Sequence, residues 1–438
     1  MRRTHRLCLP PCSEAEDTPN KLSDSDPLVN IPVRPLLLNM FHLFLVAAIL
    51  CQHVQAADIL VVALTYGSSW MSVAKIAEAL ASRGHVVTVV AHASQKSDLM
   101  RKWPTLQYET FGDPDKPPLM KEVYKTMVPK LAFSSSGALD LMTLWSTGTS
   151  ALLDLNEETL SDKQLLTKLK NSHYDVVLTY AVTFCGPLVA QYLDLPLVCT
   201  MRTIGDNFTI SAALARTDVW LYQSDLMFDF PKPMMPNMVS IAGHMAEDVK
   251  PLSEEMEEFV QSSGDDGVVL VTFGSLIADM PAEKADMLAA AFARLPQKVV
   301  WRYAGTPPPS LGSNTKTMEW VPQNDLLEAM YHGVPLVGMP LMNDAHDNIA
   351  RVEARGMAVS LDIHSVTSED VYQAITTVIS NPRYKEKADQ VSTPLRDQPQ
   401  SPMERAVWWT EHVIKHGGLP HLRSRAIELP FYQYYLRI

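Results

Sequence analysis

Short, uninterrupted apolar runs rich in β-branched residues constrain this chain more than any other feature. Residues 59–64 (ILVVAL) form the first run. A Tyr-Gly-Ser-Ser turn follows, then Met71, Ile76 and Leu80 at helical spacing until Arg83-Gly84 stops the helix. Residues 86–91 (VVTVVA) form the second run. A strand that is apolar on both faces belongs inside a parallel sheet, and a helix must return the chain to start the next strand. The pattern predicts a βαβ unit, with helices covering the sheet. The alternation continues with strands at 174–180, 195–200, 219–222 and 239–241 and a helix at 185–193. A second series has strands at 268–273, 298–301 and 336–339, helices at 282–294 and 369–379, and a late tryptophan-rich amphipathic helix at 405–415. Between the two series, residues 247–258 are acidic and read as a linker that leads to the turn cluster Gly264-Asp-Asp-Gly267. Two α/β domains are expected, at 57–247 and 248–438, with a ligand cleft between them.

Composition narrows the function classes. With 37 Lys+Arg against 49 Asp+Glu, the net charge of −12 excludes a phosphate backbone as the main partner, because such binding rests on clustered cations. Apolar residues at 47% and charged ones at 20% exclude a disordered chain. The five cysteines show no CxxC and no Cys/His spacing suited to zinc, so neither a disulfide scaffold nor a structural metal is expected. Cys185 and Cys199 read as small buried hydrophobes. No GxGxxG follows the first strand and no acidic residue ends the second, which argues against a nicotinamide dinucleotide.

Residues 1–39 read as a disordered leader, polar and acidic from Ser13 to Asp26. Residues 40–56 have the layout of a secretory signal: Arg34 ahead, a short apolar run, and a small-residue Val-Gln-Ala exit. The run is too short to span a bilayer comfortably. Asn207-Phe-Thr209 is a glycosylation sequon if the chain enters the secretory route.

The most specific signal lies in the second series. It reads Val271-Thr-Phe-Gly274-Ser275, Pro296-Gln-Lys-Val-Val-Trp301-Arg302, Trp320-Val-Pro-Gln323-Asn-Asp-Leu326-Leu327, Glu328-Ala-Met-Tyr-His-Gly333, and Pro340-Leu-Met-Asn-Asp344-Ala-His-Asp347-Asn348. Singly, each has a bland explanation. In this order they resemble the donor-binding domain of animal UDP-glycosyltransferases, the UDP-glucuronosyltransferase family, and the likeness runs from about Ile59 to the end of the chain.

The resemblance implies a GT-B fold, an α/β architecture of two Rossmann-like domains facing a cleft. UDP-sugar would lie on the carboxyl-terminal domain and a small lipophilic acceptor on the amino-terminal one. No further cofactor or metal is implied; UDP-glucuronate is the expected co-substrate. It implies that Trp320 stacks on uracil, that Gln323 and Glu328 bond the ribose, and that Gly274 and Ser275 approach the phosphates with Arg302 nearby. Asp344 would bond sugar hydroxyls. Residence in the endoplasmic reticulum, membrane association and oligomers with family members are implied as well.

The reaction implied is inverting transfer, in which a His held by an Asp takes the proton of the acceptor hydroxyl. Here the chain departs from the family. The base position is Ser69, within Gly67-Ser68-Ser69-Trp70, and the position of the orienting carboxylate is Tyr180. Leu327 runs directly into Glu328, where the family has a strand, a His-Gly-Gly turn and the start of a helix that together grip the diphosphate. Ala345 follows Asp344 where a Gln is usual, and the family continues past the position of Ile438 into a transmembrane helix. The expectation is a donor domain weakened by a missing core strand, in a chain that lacks the family's base and its orienting carboxylate. His85, His92, His332 and His346 are expected to be packing or surface residues.

Overall fold

The computed structural model describes residues 56–424, apart from 64–65, 129–131, 134–137, 182–183, 202–213, 225–228, 231, 247–251, 275–276, 320–325 and 342–344. The leader and almost all of the signal-like segment, the sequon at Asn207 and residues 425–438 lie outside this set.

The first sheet has seven strands, all parallel: β1 (Asp58–Val62), β2 (Val86–His92), β3 (Gln107–Phe111), β4 (Val176–Tyr180), β5 (Leu197–Met201), β6 (Val219–Tyr222) and β7 (Met238–Ser240). Their spatial order is β3-β2-β1-β4-β5-β6-β7, so the winding reverses between β1 and β4. The apolar runs are buried as expected, with Ile59, Leu60, Val61, Val176, Val177 and Leu178 at 0% exposure. Helix α1 (Gly67–Ser82) covers one face through Val73, Ile76, Ala77 and Leu80, which share a core cluster with Val61, Val89 and Leu178. On the other face Val189 and Ala190, from α2 (Cys185–Leu193), pack with Leu60, Val62 and Val177. Cys185 and Cys199 are free and buried in different clusters, and burial pushes the Cys185 thiol up to about 12.

The second series is not one sheet. Strands β8 (Val268–Val271), β9 (Lys298–Arg302) and β10 (Thr315–Met318) form a three-stranded parallel sheet in the order β10-β9-β8. Strands β11 (Leu336–Gly338) and β12 (Ala358–Ser360) form a separate parallel pair. Both pieces contribute to the same core, where Val269 and Val271 from β8 and Val337 from β11 pack around Leu288, Phe292 and Trp301. Among the described residues, no ladder joins them. In a doubly wound sheet ordered 3-2-1-4-5-6, these are the strands on either side of the fourth. That is the strand whose absence at the Leu327–Glu328 junction the sequence predicts. The chain instead forms the short helix α3 (Leu326–Tyr331) there. On β8, Val268 and Leu270 are 40% and 51% exposed, on the face opposite Val269 and Val271.

Two expectations need correction. The acidic stretch read as linker contains the helix Glu254–Gln261. Met256, Phe259 and Val260 recur at helical spacing among four glutamates and pack on Val300 and Met318, which fixes a helix despite the charge. The late helix also starts earlier than its apolar pattern: α4 (Pro402–Lys415) opens with Pro402 at its first position and a capping box of Ser401 with Glu404. Although α4 belongs to the 248–438 block of sequence, it returns to the first sheet, where Ala406, Val407 and Val413 enter the core of Val73 and Leu80. His85 secures this return. Its Nδ1 accepts from Ala57 N at 3.2 Å, so Nε2–H faces the Glu411 carboxylate at 3.3 Å, and Arg83 joins the same carboxylate at 3.1 Å.

Candidate functional site

The amino-terminal half of the site is built by topology. Carboxyl ends of strands beside a reversal of winding form the crevice where open α/β sheets bind ligands. Here those ends belong to β1 and β4, paired with Val62 opposite Thr179. Ser69 lies in the first turn of α1, just beyond β1, and Tyr180 is the last residue of β4. The sheet thus brings Ser69 and Tyr180 to one edge, as the family reaction requires of its base and carboxylate. Neither can do that chemistry: a serine hydroxyl is no base near neutral pH, and Tyr180 is 7% exposed within the first core. Trp70, the next residue of the motif, is likewise a core side chain at 4% exposure.

A buried network beside Ser69 escaped the sequence reading. Ser72, one turn deeper in α1, faces His244 Nε2 at 2.8 Å and accepts from Gln223 Nε2 at 2.7 Å. His244 Nδ1 lies 2.9 Å from the Ile241 carbonyl, so Nδ1 carries the proton and Nε2 accepts from Ser72 Oγ. All three side chains are at most 5% exposed. The network ties α1 to the carboxyl ends of β6 and β7, and its burial keeps His244 away from an acceptor. The signal was unreadable because 172 positions separate Ser72 from His244.

The segment after β7 touches both halves of the chain. His244 holds α1, while Ala242 packs with Met330, Val352 and Met357 of the second half. Asp229 forms a second bridge. Its carboxylate is 3% exposed, accepts from the Tyr222 hydroxyl, and forms ion pairs with Lys232 Nζ at 2.9 Å and Arg351 Nε at 3.3 Å. Burial raises the Asp229 pKa, but the hydrogen bonds from Lys232 and Tyr222 outweigh it and hold the carboxyl below its ordinary range. Arg351 comes from the helix Ala345–Ala354, which follows the expected sugar-binding Asp344.

In the carboxyl-terminal half, Gly274 and Arg302 are brought together. Gly274 follows β8 at φ 79°, in the left-handed region that favours glycine. A Cβ at this glycine would meet nothing within 4 Å, so the turn, and not close packing, demands the glycine. Arg302, at the end of β9 and 5% exposed, donates to the Gly274 carbonyl and, at 3.1 Å, to the Ile277 carbonyl. Burial lowers the pKa of its guanidinium. Arg302 therefore braces the turn at Gly274. Ser275, Trp320, Gln323 and Asp344 lie outside the described residues, as does the side chain of Glu328, whose backbone belongs to α3. Among the described residues, no group of three or more His, Cys, Asp or Glu side chains could hold a metal ion.

Comparison with known proteins agrees with this architecture. The chain is similar to the forosaminyltransferase SpnP (TM-score 0.57, 18% identity, 82% of this chain and 100% of that one). It is also similar to CalG4, the calicheamicin glycosyltransferase (TM-score 0.57, 17% identity, 82% and 99%). These likenesses establish the GT-B fold. Among curated proteins, the UDP-glucuronosyltransferase 2B19 of Macaca fascicularis is 32% identical over 84% of this chain and 86% of its own length. The UDP-glucuronosyltransferase 2C1 of Oryctolagus cuniculus is 33% identical over 84% and 91%. The family model described as "UDP-glucoronosyl and UDP-glucosyl transferase" matches residues 57–213 and 203–436. On this evidence the chain is a glycosyltransferase by descent and belongs to the UDP-glucuronosyl and UDP-glucosyl transferase family.

Proposed function

We propose that the fold serves inverting transfer of a sugar, glucuronic acid in the first instance, from a UDP-sugar to hydroxyls of small lipophilic acceptors. The observation that carries this reading is the crevice at the reversal of the first sheet, in a chain that matches the transferase family over residues 57–213 and 203–436. The Gly274 turn, braced by Arg302, stands at the carboxyl end of β8. Trp320, Gln323, Glu328 and Asp344 would complete the donor pocket by uracil stacking and by hydrogen bonds to ribose and sugar. Incubation of purified chain with labelled UDP-glucuronate and a phenol panel tests it. Transfer above a boiled control supports turnover, and its absence removes it.

A second reading is favoured by two specific observations: Ser69 and Tyr180 stand where the family has its base and carboxylate, and among the described residues the second sheet is split. Loss of a general base alone removes about 10²–10⁴ in rate. In this reading the chain keeps the family fold without turnover and acts by association with active relatives. Co-purification with a full-length relative, accompanied by a change in that relative's kcat, supports it; failure to associate removes it. In either reading we place the chain in the lumen of the endoplasmic reticulum, supported by the signal-like 40–56 segment and the Asn207 sequon. A mobility shift on deglycosylation, absent in N207Q, is the expected result. Among the described residues, no helix is long and apolar enough to cross a membrane.

A further inference from the structure

Helix α4 presents Trp408, His412 and His416 at four-residue intervals, with His416 capping its carboxyl end. The backbone beneath them is held firmly. Pro402, Ala406, Val407, Thr410 and Val413 are buried, the capping box closes the amino end, and Gly417 at φ 62° and Gly418 at φ 101° end the helix. Spacing of i and i+4 therefore places both imidazoles on one side of a fixed scaffold.

The rings are already close together. The centroids of His412 and His416 are 4.4 Å apart, with 62° between the planes. The Trp408 indole stacks on His412 at 4.7 Å and 13°, and Trp409 meets the same imidazole edge-on at 5.8 Å. His412 is thus oriented before any ligand arrives, which lowers the entropy lost on binding. His416 is exposed and Trp408 is 44% exposed, so the rings are open to solvent. The neighbouring Glu411 is committed to Arg83 and His85 and does not compete for them.

We propose that His412 and His416 form a two-imidazole site for a transition-metal dication, with Cu²⁺ preferred over Ni²⁺ and Zn²⁺ and solvent completing the coordination. Metal–nitrogen bonds of about 2.0–2.1 Å place two ligating nitrogens roughly 3 Å apart, within reach of rings this close. Neutral imidazole favours Cu²⁺ among divalent first-row ions. A bound ion would clamp the last turn of α4 to its cap, at the point where the second half of the chain returns to the first sheet. The site is independent of the transferase reading and lies on the opposite side of the chemistry question: it binds an ion and transfers nothing.

The test is titration of the full chain, stripped with chelator, with Cu²⁺. Calorimetry and tryptophan fluorescence serve as readouts. One tight Cu²⁺ per chain with quenching is expected, weakened at least tenfold in H416Q. W408F should keep the binding and lose most of the quenching. Cu²⁺ should raise Tm in the parent chain and not in H416Q, whose exposed position leaves the fold intact by circular dichroism. Two results would overturn the proposal: no tight Cu²⁺ in the parent chain, or unchanged affinity and stoichiometry in H416Q.

Discussion

The seven-stranded sheet and the two smaller sheets that follow it are written in the same alternation of apolar strand and covering helix, yet only the first is continuous. In the first, β1 and β4 pair from Ile59–Val62 to Val176–Thr179, and those side chains are buried. In the second, β8 and β11 share a core without sharing a ladder, and Leu270 is half exposed on the open side. Both regions bury large side chains in their centres, Leu178 and Ile59 in one and Trp301 and Phe292 in the other. The difference lies in one strand. A doubly wound sheet depends on the strand that joins its two halves. Without it, backbone groups on two edges lose partners even though the core around Trp301 still forms.

The comparison can be broken most sharply at the chemistry. A chain with the strand-and-turn segment of a full-length relative inserted between Leu327 and Glu328 restores the joining strand. On that background, S69H with Y180D is expected to raise transfer about 10²–10⁴-fold, and rates with labelled UDP-glucuronate measure it. S69H with Y180D in the chain as it stands should give far less, because the donor side remains split.

Stability separates the regions next. Leu178→Ala in the first sheet should cost about 2–5 kcal/mol in urea unfolding, the usual range for a buried leucine. Leu270→Ala on the open side of β8 should stay within about 0.5 kcal/mol, as exposed positions do. Equal costs would mean that β8 is covered.

The bridge between the halves gives a pH dependence. The folded pKa of Asp229 is held below its ordinary 3.8, so its contribution is complete above that value and is lost as pH falls through the folded pKa. Acid melts should therefore lower Tm as pH drops below about 4, and D229N should flatten that slope while lowering stability at pH 7. The smallest effect concerns association. L270K should leave Tm unchanged and reduce concentration-dependent self-association seen by light scattering, because a lysine on an edge strand discourages edge-to-edge pairing.

How much of this was legible in the sequence differs by region for physical reasons. The helix Cys185–Leu193 and the strand Val219–Tyr222 match their sequence patterns to the residue. Strand β3 was not found because QYETF is half polar and lies at the sheet edge, where no continuous apolar run is needed. The helix Pro382–Arg396 was hidden by Pro394 within it. Gly274 announced itself through its motif, and its left-handed backbone gives the reason. The Ser72–His244 contact and the Asp229–Arg351 bridge depend on chain segments far apart in sequence, which no local pattern encodes. The splitting of the second sheet was foreseeable from the Leu327–Glu328 junction, whereas the return of α4 to the first sheet was not.

Hydrogen exchange resolved along the chain tests the central claim most directly, because it reads each sheet separately in one sample. The account predicts that amides of β4 and β5 exchange last, by global unfolding, while those of β8 and β11 exchange orders of magnitude sooner through local opening. Equal protection in β4 and β8 would contradict it, since a split sheet cannot guard its edge amides as well as a continuous one.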